Sequence, residues 1–191
     1  MTEEEAIAYY VKKLEEVFIE ATPYDACAAI VFEPVQGEGG FVPAPIEWVK
    51  AVRKICDEHG ILMICDEVQC GWARSGKMFA SQYFAEAGAA PDIMSTAKSI
   101  AGGLPLSAVT ARAEIMDAVP GGTIGGTYGA NAVSAASALA VIDVMTRDDY
   151  PAKAMHIADV VGKRFNEWKD KYECVGDVRG TGAMIGIEFV K

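Results

Sequence analysis

Five consecutive apolar residues, Ile61 to Cys65, lie between Gly60 and a pair of acids, Asp66 and Glu67. A run this short, bounded by turn and charge signals, reads as a β-strand buried on both faces. Ahead of it Trp48, Val49, Val52 and Ile55 recur at helical spacing, opened by Pro43 and Pro45 and closed by Gly60 at the C-cap. Ahead of that helix stands another apolar run, Ala26 to Phe32. Strand, crossover helix and strand make a βαβ unit, expected to be parallel and right-handed. The chain is therefore expected to be α/β, with its ligand crevice at the carboxyl ends of the strands. Asp66 stands at that edge.

A carboxylate at a strand end needs a cation or strong donors, because burying it unpaired costs several kcal/mol (roughly) and favours its neutral form. Further on, Lys98 follows a second strand-like segment, Pro91 to Ser95, and precedes the turn Gly102-Gly103-Leu104-Pro105. Flanked by Ala97 and Ser99, its amine is expected to be desolvated enough to act as a nucleophile. An acid and an amine so delivered suit pyridoxal phosphate, the lysine as Schiff-base former and Asp66 on the ring nitrogen. On spacing alone, a helix-capping aspartate and a solvated turn lysine account for the same residues.

Four longer motifs then occur in one order: E-P-V-Q-G-E-G-G from Glu33, D-E-V-Q-C-G-W-A-R-S-G-K-M-F-A from Asp66, P-D-I-M-S-T-A-K-S-I-A-G-G-L-P-L-S-A-V from Pro91, and G-G-T-Y-G-A-N-A from Gly125. Together they resemble the class III (subgroup II) aminotransferases, most nearly those acting on 4-aminobutyrate, from about Cys27 to Lys191. The resemblance implies an aspartate-aminotransferase-type fold (fold type I): a large domain built on a mostly parallel sheet with flanking helices, plus the start of an α+β small domain. Its implied boundaries are a helix over residues 1–25, the latter part of the large domain over 26–145 and the beginning of the small domain over 146–191. Relatives carry, before the region matched, a phosphate-cradling helix start and an aromatic that stacks on the ring. Neither pattern is visible in residues 1–32, and the chain stops inside an apolar strand, so a fragment is expected.

The resemblance also assigns roles. Lys98 corresponds to the lysine that binds the cofactor and later moves the proton; Asp66 keeps the pyridine nitrogen protonated, Gln69 bonds the phenolic oxygen, and Val68 packs on the ring. Glu33 lies behind the Asp66 region. Glu38 approaches the substrate, pairing with an arginine when an ω-amino donor is bound and releasing it for 2-oxoglutarate; that arginine lies beyond Lys191 in the family. Thr127 reaches the cofactor phosphate of a neighbouring subunit, which implies a homodimer. Arg179, in V-R-G-T-G, reads as structural. The implied reaction is transamination of an ω-amino acid with 2-oxoglutarate to a semialdehyde and glutamate. The alternatives are another class III activity, of acetylornithine or ornithine type, or a non-catalytic fragment that at most dimerises or binds a partner.

Composition narrows the field further. Among 191 residues 51% are hydrophobic, enough for a sizeable core, and the net charge of -10 with no basic run argues against nucleic-acid binding. The five cysteines are scattered and form no C-x-x-C pair, which fits reduced thiols and a cytoplasmic setting. With only His59 and His156, a histidine-rich metal site is not expected. No apolar span reaches the roughly 20 residues a bilayer requires, and the N-terminus is acidic where a signal peptide is basic. Thr2 and Glu5 form a capping-box pattern for a helix over 3–20, and further helices are expected over 78–87, 112–118, 131–145 and from Pro151. A strand is expected over 106–111, and Tyr172–Val178 and Ala183–Val190 should form a hairpin around a turn at 179–182. On the helix from Pro151, the stripe of Met155, Ala158, Val161, Phe165 and Trp168 should be core or interface.

Overall fold

The computed structural model describes residues 1–191 apart from Ile124, Tyr128 and Ala130. Helix α1 spans Glu3–Glu20 and opens on the expected capping box: Thr2 Oγ1 accepts from the Glu5 amide at 3.2 Å, and Glu5 Oε2 accepts from the Thr2 amide at 2.8 Å. Strand β1 is confined to Ala29–Phe32, because a 3-10 turn at Tyr24–Ala26 consumes the start of the apolar run. The segment after β1 contains strand β2, Val35–Gln36, which pairs antiparallel with β3, Val42–Pro43. Helix α2, Ile46–His59, follows Pro45 and ends at Gly60, whose φ of 68° is the left-handed cap that glycine adopts without a Cβ clash.

Strand β4 is Leu62–Asp66 and pairs parallel with β1, so the βαβ unit is parallel as expected. Met63 and Cys65 are fully buried, whereas Leu62, Ile64 and Asp66 are half-buried. The strand is thus fully covered on one face only, and the neighbouring Val31 is 62% exposed. Helix α3 is only Ser81–Glu86, since residues 78–80 remain in turns. Strand β5, Ile93–Thr96, pairs parallel with β4, and β6, Ala108–Ala111, pairs antiparallel with β5. The resulting order is β1-β4-β5-β6. Helix α4 is Ala113–Met116.

Helix α5, Ala132–Arg147, is capped by Asn131, whose side chain accepts from the amides of Val133 and Ser134. It packs on the 3-10 turn Lys98–Ala101 through Ala138 against Ile100 and Ala101, and Ser137 Oγ donates to the Ala101 carbonyl at 2.9 Å. Helix α6 runs Tyr150–Lys171. Of its apolar stripe, Ala158, Val161 and Phe165 are half-buried, but Met155 and Trp168 are exposed, so the expected core extends over part of the stripe only. Strands β7, Val175–Thr181, and β8, Met184–Phe189, form the hairpin. Its turn is tighter than expected because Thr181 already pairs with Met184, which moves Arg179 from the turn into the strand.

The main core lies between α1, α2 and β4, where Phe18, Val49, Val52, Ile55, Met63 and Cys65 are buried together. One charge sits at its margin. Asp92, just before β5, accepts from the Met63 amide at 2.7 Å and from Arg53 on α2 at 2.7 Å, and pairs with Arg112 at 3.0 Å. Burial acts to lower the Arg53 guanidinium pKa, but the hydrogen bond and charge of Asp92 outweigh it and the net shift is upward. Among the described residues no helix is long and apolar enough to cross a membrane.

Two outcomes are expected. Asp92→Ala leaves the Met63 amide without its acceptor and Arg53 with only Asp57 and the Ala90 carbonyl, and should lower stability by about 3 kcal/mol in urea unfolding, the order found when one partner of a buried pair is removed. Burial pushes the thiol of Cys56 up to about 11 and that of Cys65 up to about 12, while Cys174 is exposed. Iodoacetamide at pH 8 should therefore alkylate Cys174 far faster than Cys56 or Cys65, as peptide mass mapping would record.

Candidate active site

The carboxyl ends of β1, β4 and β5 bring three of the expected residues to one edge. Phe32 is opposite Cys65 and Asp66 is opposite Ser95, so Glu33 and Asp66 emerge side by side, and Lys98 follows two residues after β5 ends. Asp66 Oδ1 accepts from the Val68 amide at 2.9 Å and from Ser95 Oγ at 3.4 Å. Its Oδ2 accepts no hydrogen bond among the described residues, which leaves that oxygen available to a donor.

Lys98 opens the 3-10 turn with φ of 49°, a left-handed conformation uncommon for a residue with a side chain. Its Nζ donates to Gln69 Oε1 at 2.8 Å. Gln69 in turn packs on Gly37, where a Cβ would lie 2.5 Å from the Gln69 side-chain carbon and oxygen. Glu33 Oε2 accepts from the Gly37 amide at 2.6 Å, tying the first glycine of the Glu33–Gly40 segment. Glu33, Gly37, Gln69 and Lys98 thus form one contact chain across the strand ends.

The remaining residues are placed as follows, and only the desolvation expected of Lys98 is not met. Lys98 is exposed, so these residues do not by themselves desolvate its amine; it lies beyond the strand end on a turn, with Gln69 as its hydrogen-bond partner. Glu38 is exposed and forms no ion pair among the described residues. Val68 is half-buried beside Asp66. Thr127 is exposed in the glycine-rich segment and is not brought to the strand ends by any hydrogen bond among the described residues.

One residue that sequence reasoning passed over is central here. Glu67 is 0% exposed, and its carboxylate accepts from the amides of Ala80 at 3.0 Å and Ser81 at 2.6 Å and from Cys70 Sγ at 3.1 Å. It closes the segment carrying Val68 and Gln69 back onto the start of α3. The signal was present: Met63, Cys65 and Glu67 alternate, so Glu67 continues the buried face. Burial first, and then the Glu67 charge, pushes the Cys70 thiol pKa upward, so the sulfur stays protonated as a donor.

Comparison with known proteins adds a lineage to this geometry. The model of the family described as Aminotransferase class-III matches residues 1–191. The chain belongs to the class III aminotransferases. It is 47% identical over 169 residues to the 5-aminovalerate aminotransferase DavT of Pseudomonas putida, covering 88% of this chain and 39% of that protein. It is 43% identical over 189 residues to the 4-aminobutyrate aminotransferase GabT of Escherichia coli, covering 99% of this chain and 43% of that protein. The chain therefore spans about two fifths of the length of these curated relatives. An amine transaminase from an uncultivated Pseudomonas species, solved in a PLP-bound form, superposes with a TM-score of 0.87 at 34% identity, over 95% of this chain and 42% of that one. The fold type I architecture implied by the motifs is borne out, as is the partial coverage of the class III chain.

Replacing Glu67 with alanine leaves two buried amides without acceptors. At about 1–3 kcal/mol for each unsatisfied group, the Glu67→Ala chain should lose roughly 2–6 kcal/mol in denaturant unfolding.

Proposed function

We propose that these residues carry the cofactor-binding centre of a pyridoxal-phosphate-dependent aminotransferase that moves the amino group of an ω-amino acid, of the 4-aminobutyrate or 5-aminovalerate kind, to 2-oxoglutarate. The observation that carries the reading is the delivery of Asp66 and Lys98 by adjacent parallel strands to one sheet edge, with Gln69 beside the amine. Family membership supports the reaction class, and the names of the relatives support the donor class. The free acceptor Oδ2 of Asp66, the amine of Lys98 and the side-chain N–H of Gln69 form a set that fits a protonated pyridine ring bearing an aldehyde and a phenolic oxygen.

When bound, the cofactor supplies an electron sink for the substrate carbon. The protein residues do the rest. Lys98 would hold the group through its amine, and its Nζ is the atom that would carry the proton. Asp66 Oδ2 would accept from the ring nitrogen and keep it charged, Gln69 would donate to the phenolic oxygen, and Val68 would line the ring. Glu33 braces the Gly37 turn, whose next residue, Glu38, is exposed. Glu38 would hold a substrate-binding arginine during the first half-reaction and free it for the second, a charge exchange that lets one site take both partners. Thr127 would donate to the cofactor phosphate of a second copy in a homodimer. The organisation we favour is a helical lead over 1–25, the large-domain portion over 26–145 and the small-domain portion over 146–191, in a cytoplasmic protein.

A non-catalytic reading is favoured by one observation, the exposure of Lys98. The two readings separate spectroscopically. Pyridoxal phosphate added to the protein should give an absorbance near the visible edge that borohydride bleaches, leaving the group fixed as a secondary amine on the peptide containing Lys98, and Lys98→Ala should abolish both the band and the label. Asp66→Asn should retain the fixed adduct but lower transamination of 4-aminobutyrate and 5-aminovalerate by about a hundredfold or more, the scale of a lost charge interaction at a reacting centre. No adduct in either this chain or a longer chain containing it leaves the non-catalytic reading in place. Turnover of acetylornithine in preference to the ω-amino acids would overturn the donor assignment.

A further inference from the structure

We infer that Arg179 is a positioning residue for Glu38, and so for the choice between the amine donor and the 2-oxo acid acceptor; the substrate part rests on the role given to Glu38 above. Glu38 lies in a closed turn, with the Gly40 and Phe41 amides both donating to the Gly37 carbonyl at 3.1 and 3.3 Å. The front of this turn is held by Glu33 at the Gly37 amide. Its rear is held from 139 residues away, where Arg179 Nε donates to the Gly40 carbonyl at 2.8 Å.

That contact is built for direction. Arg179 NH1 donates to Asp177 Oδ2 at 3.0 Å and to Glu188 Oε2 at 2.6 Å, so the two carboxylates set the guanidinium plane before Nε meets its acceptor. The hydrogen bonds of Arg179 and then Lys169 hold the Asp177 carboxyl below its ordinary range, which keeps it charged at neutral pH. Gly40 has φ of 109°, and a Cβ there would lie 2.8 Å from Arg179 NH2, so the guanidinium packs directly on a bare backbone. On the other strand, a Cβ at Gly186 would lie 3.0 Å from the Gly40 carbonyl oxygen. The carbonyl therefore lies against the hairpin, held by the Arg179 side chain of β7 and close to Gly186 of β8. The hairpin also grips the Gln69 side of the site: Ala183 N donates to the Arg74 carbonyl at 2.8 Å, and Thr181 Oγ1 to the Ser75 carbonyl at 3.3 Å.

A lysine at 179 keeps the charge but cannot serve Gly40, Asp177 and Glu188 in one plane. Amide exchange of the 191-residue chain should therefore show Gly40 and Phe41 exchanging at least about fivefold faster in Arg179→Lys, with α2 and β4 unchanged. Glu188→Gln, which loosens the guanidinium and leaves Nε in place, should give a smaller increase and guards against a misfolded lysine variant. In a chain active in the assay above, Arg179→Lys should change the ratio of the two KM values, for ω-amino donor and 2-oxoglutarate, by about threefold or more. Glu38→Gln should move that ratio too, and the double variant should show less than the sum. Unchanged exchange in both hairpin variants, or an unchanged KM ratio in Arg179→Lys while Glu38→Gln shifts it, overturns the inference and leaves the role of Glu38 standing. A KM ratio that Glu38→Gln does not move overturns the role of Glu38, and the substrate part of the inference with it, whatever the exchange result.

Discussion

The placement of Asp66 beside β5 rests on one buried carboxylate at the far end of the same strands. Asp92 donates its amide to the Met63 carbonyl and takes the Met63 amide on its own side chain, so the first rung between β4 and β5 is half backbone and half carboxylate. Arg53 and Arg112 neutralise it from α2 and from the end of β6. A bare carboxylate in that position would cost several kcal/mol (roughly), whereas a paired one pins the register, because a slip of one residue would leave both arginines and the carboxylate misplaced. With the register held there, Asp66 falls opposite Ser95 three rungs on.

At the ligand end the chain manages two adjacent acids in opposite ways. Strand alternation sends Glu67 inward and Asp66 towards the crevice. Glu67 spends its acceptor capacity on two amides and a thiol, and so becomes part of the framework. Asp66 spends only Oδ1 on its neighbours and keeps Oδ2 for a donor from outside. Chemically identical groups thus take separate roles because one strand face is dry and the other opens at the sheet edge.

Much of this was legible in the sequence, for reasons that differ by element. The capping box at Thr2 and Glu5 and the glycine stop at residue 60 are local, and both helices occur where the pattern puts them. The parallel βαβ unit followed from two short apolar runs flanking a helical period. The interactions that escaped were those whose partners no sequence pattern names. No local pattern in Val35–Gln36 announces its pairing with Val42–Pro43, and nothing near Asp92 names Arg53 and Arg112 as partners. Glu67 was legible through alternation alone, yet its neighbour in the acid pair drew the functional reading. The exposure of Lys98 was illegible because desolvation depends on which walls surround a turn, and turns carry no periodicity.

The same distinction explains why a structural reading of Arg179 from V-R-G-T-G understates it. As a turn residue it would have served the hairpin alone. The observed register places it inside β7, with Asp177 two residues before it, Gly186 opposite it and Glu188 on the diagonal, and its Nε donates away from both carboxylates to Gly40. Two glycines make that approach possible: Gly40 presents a carbonyl with no side chain in the way, and Gly186 leaves room for it on the facing strand. The hairpin is thereby joined to the turn that carries Glu38 by a directional contact, and to the segment after Gln69 by two more. Residues far apart in the chain become one rigid surround for the strand ends, with the backbone itself as the mating surface.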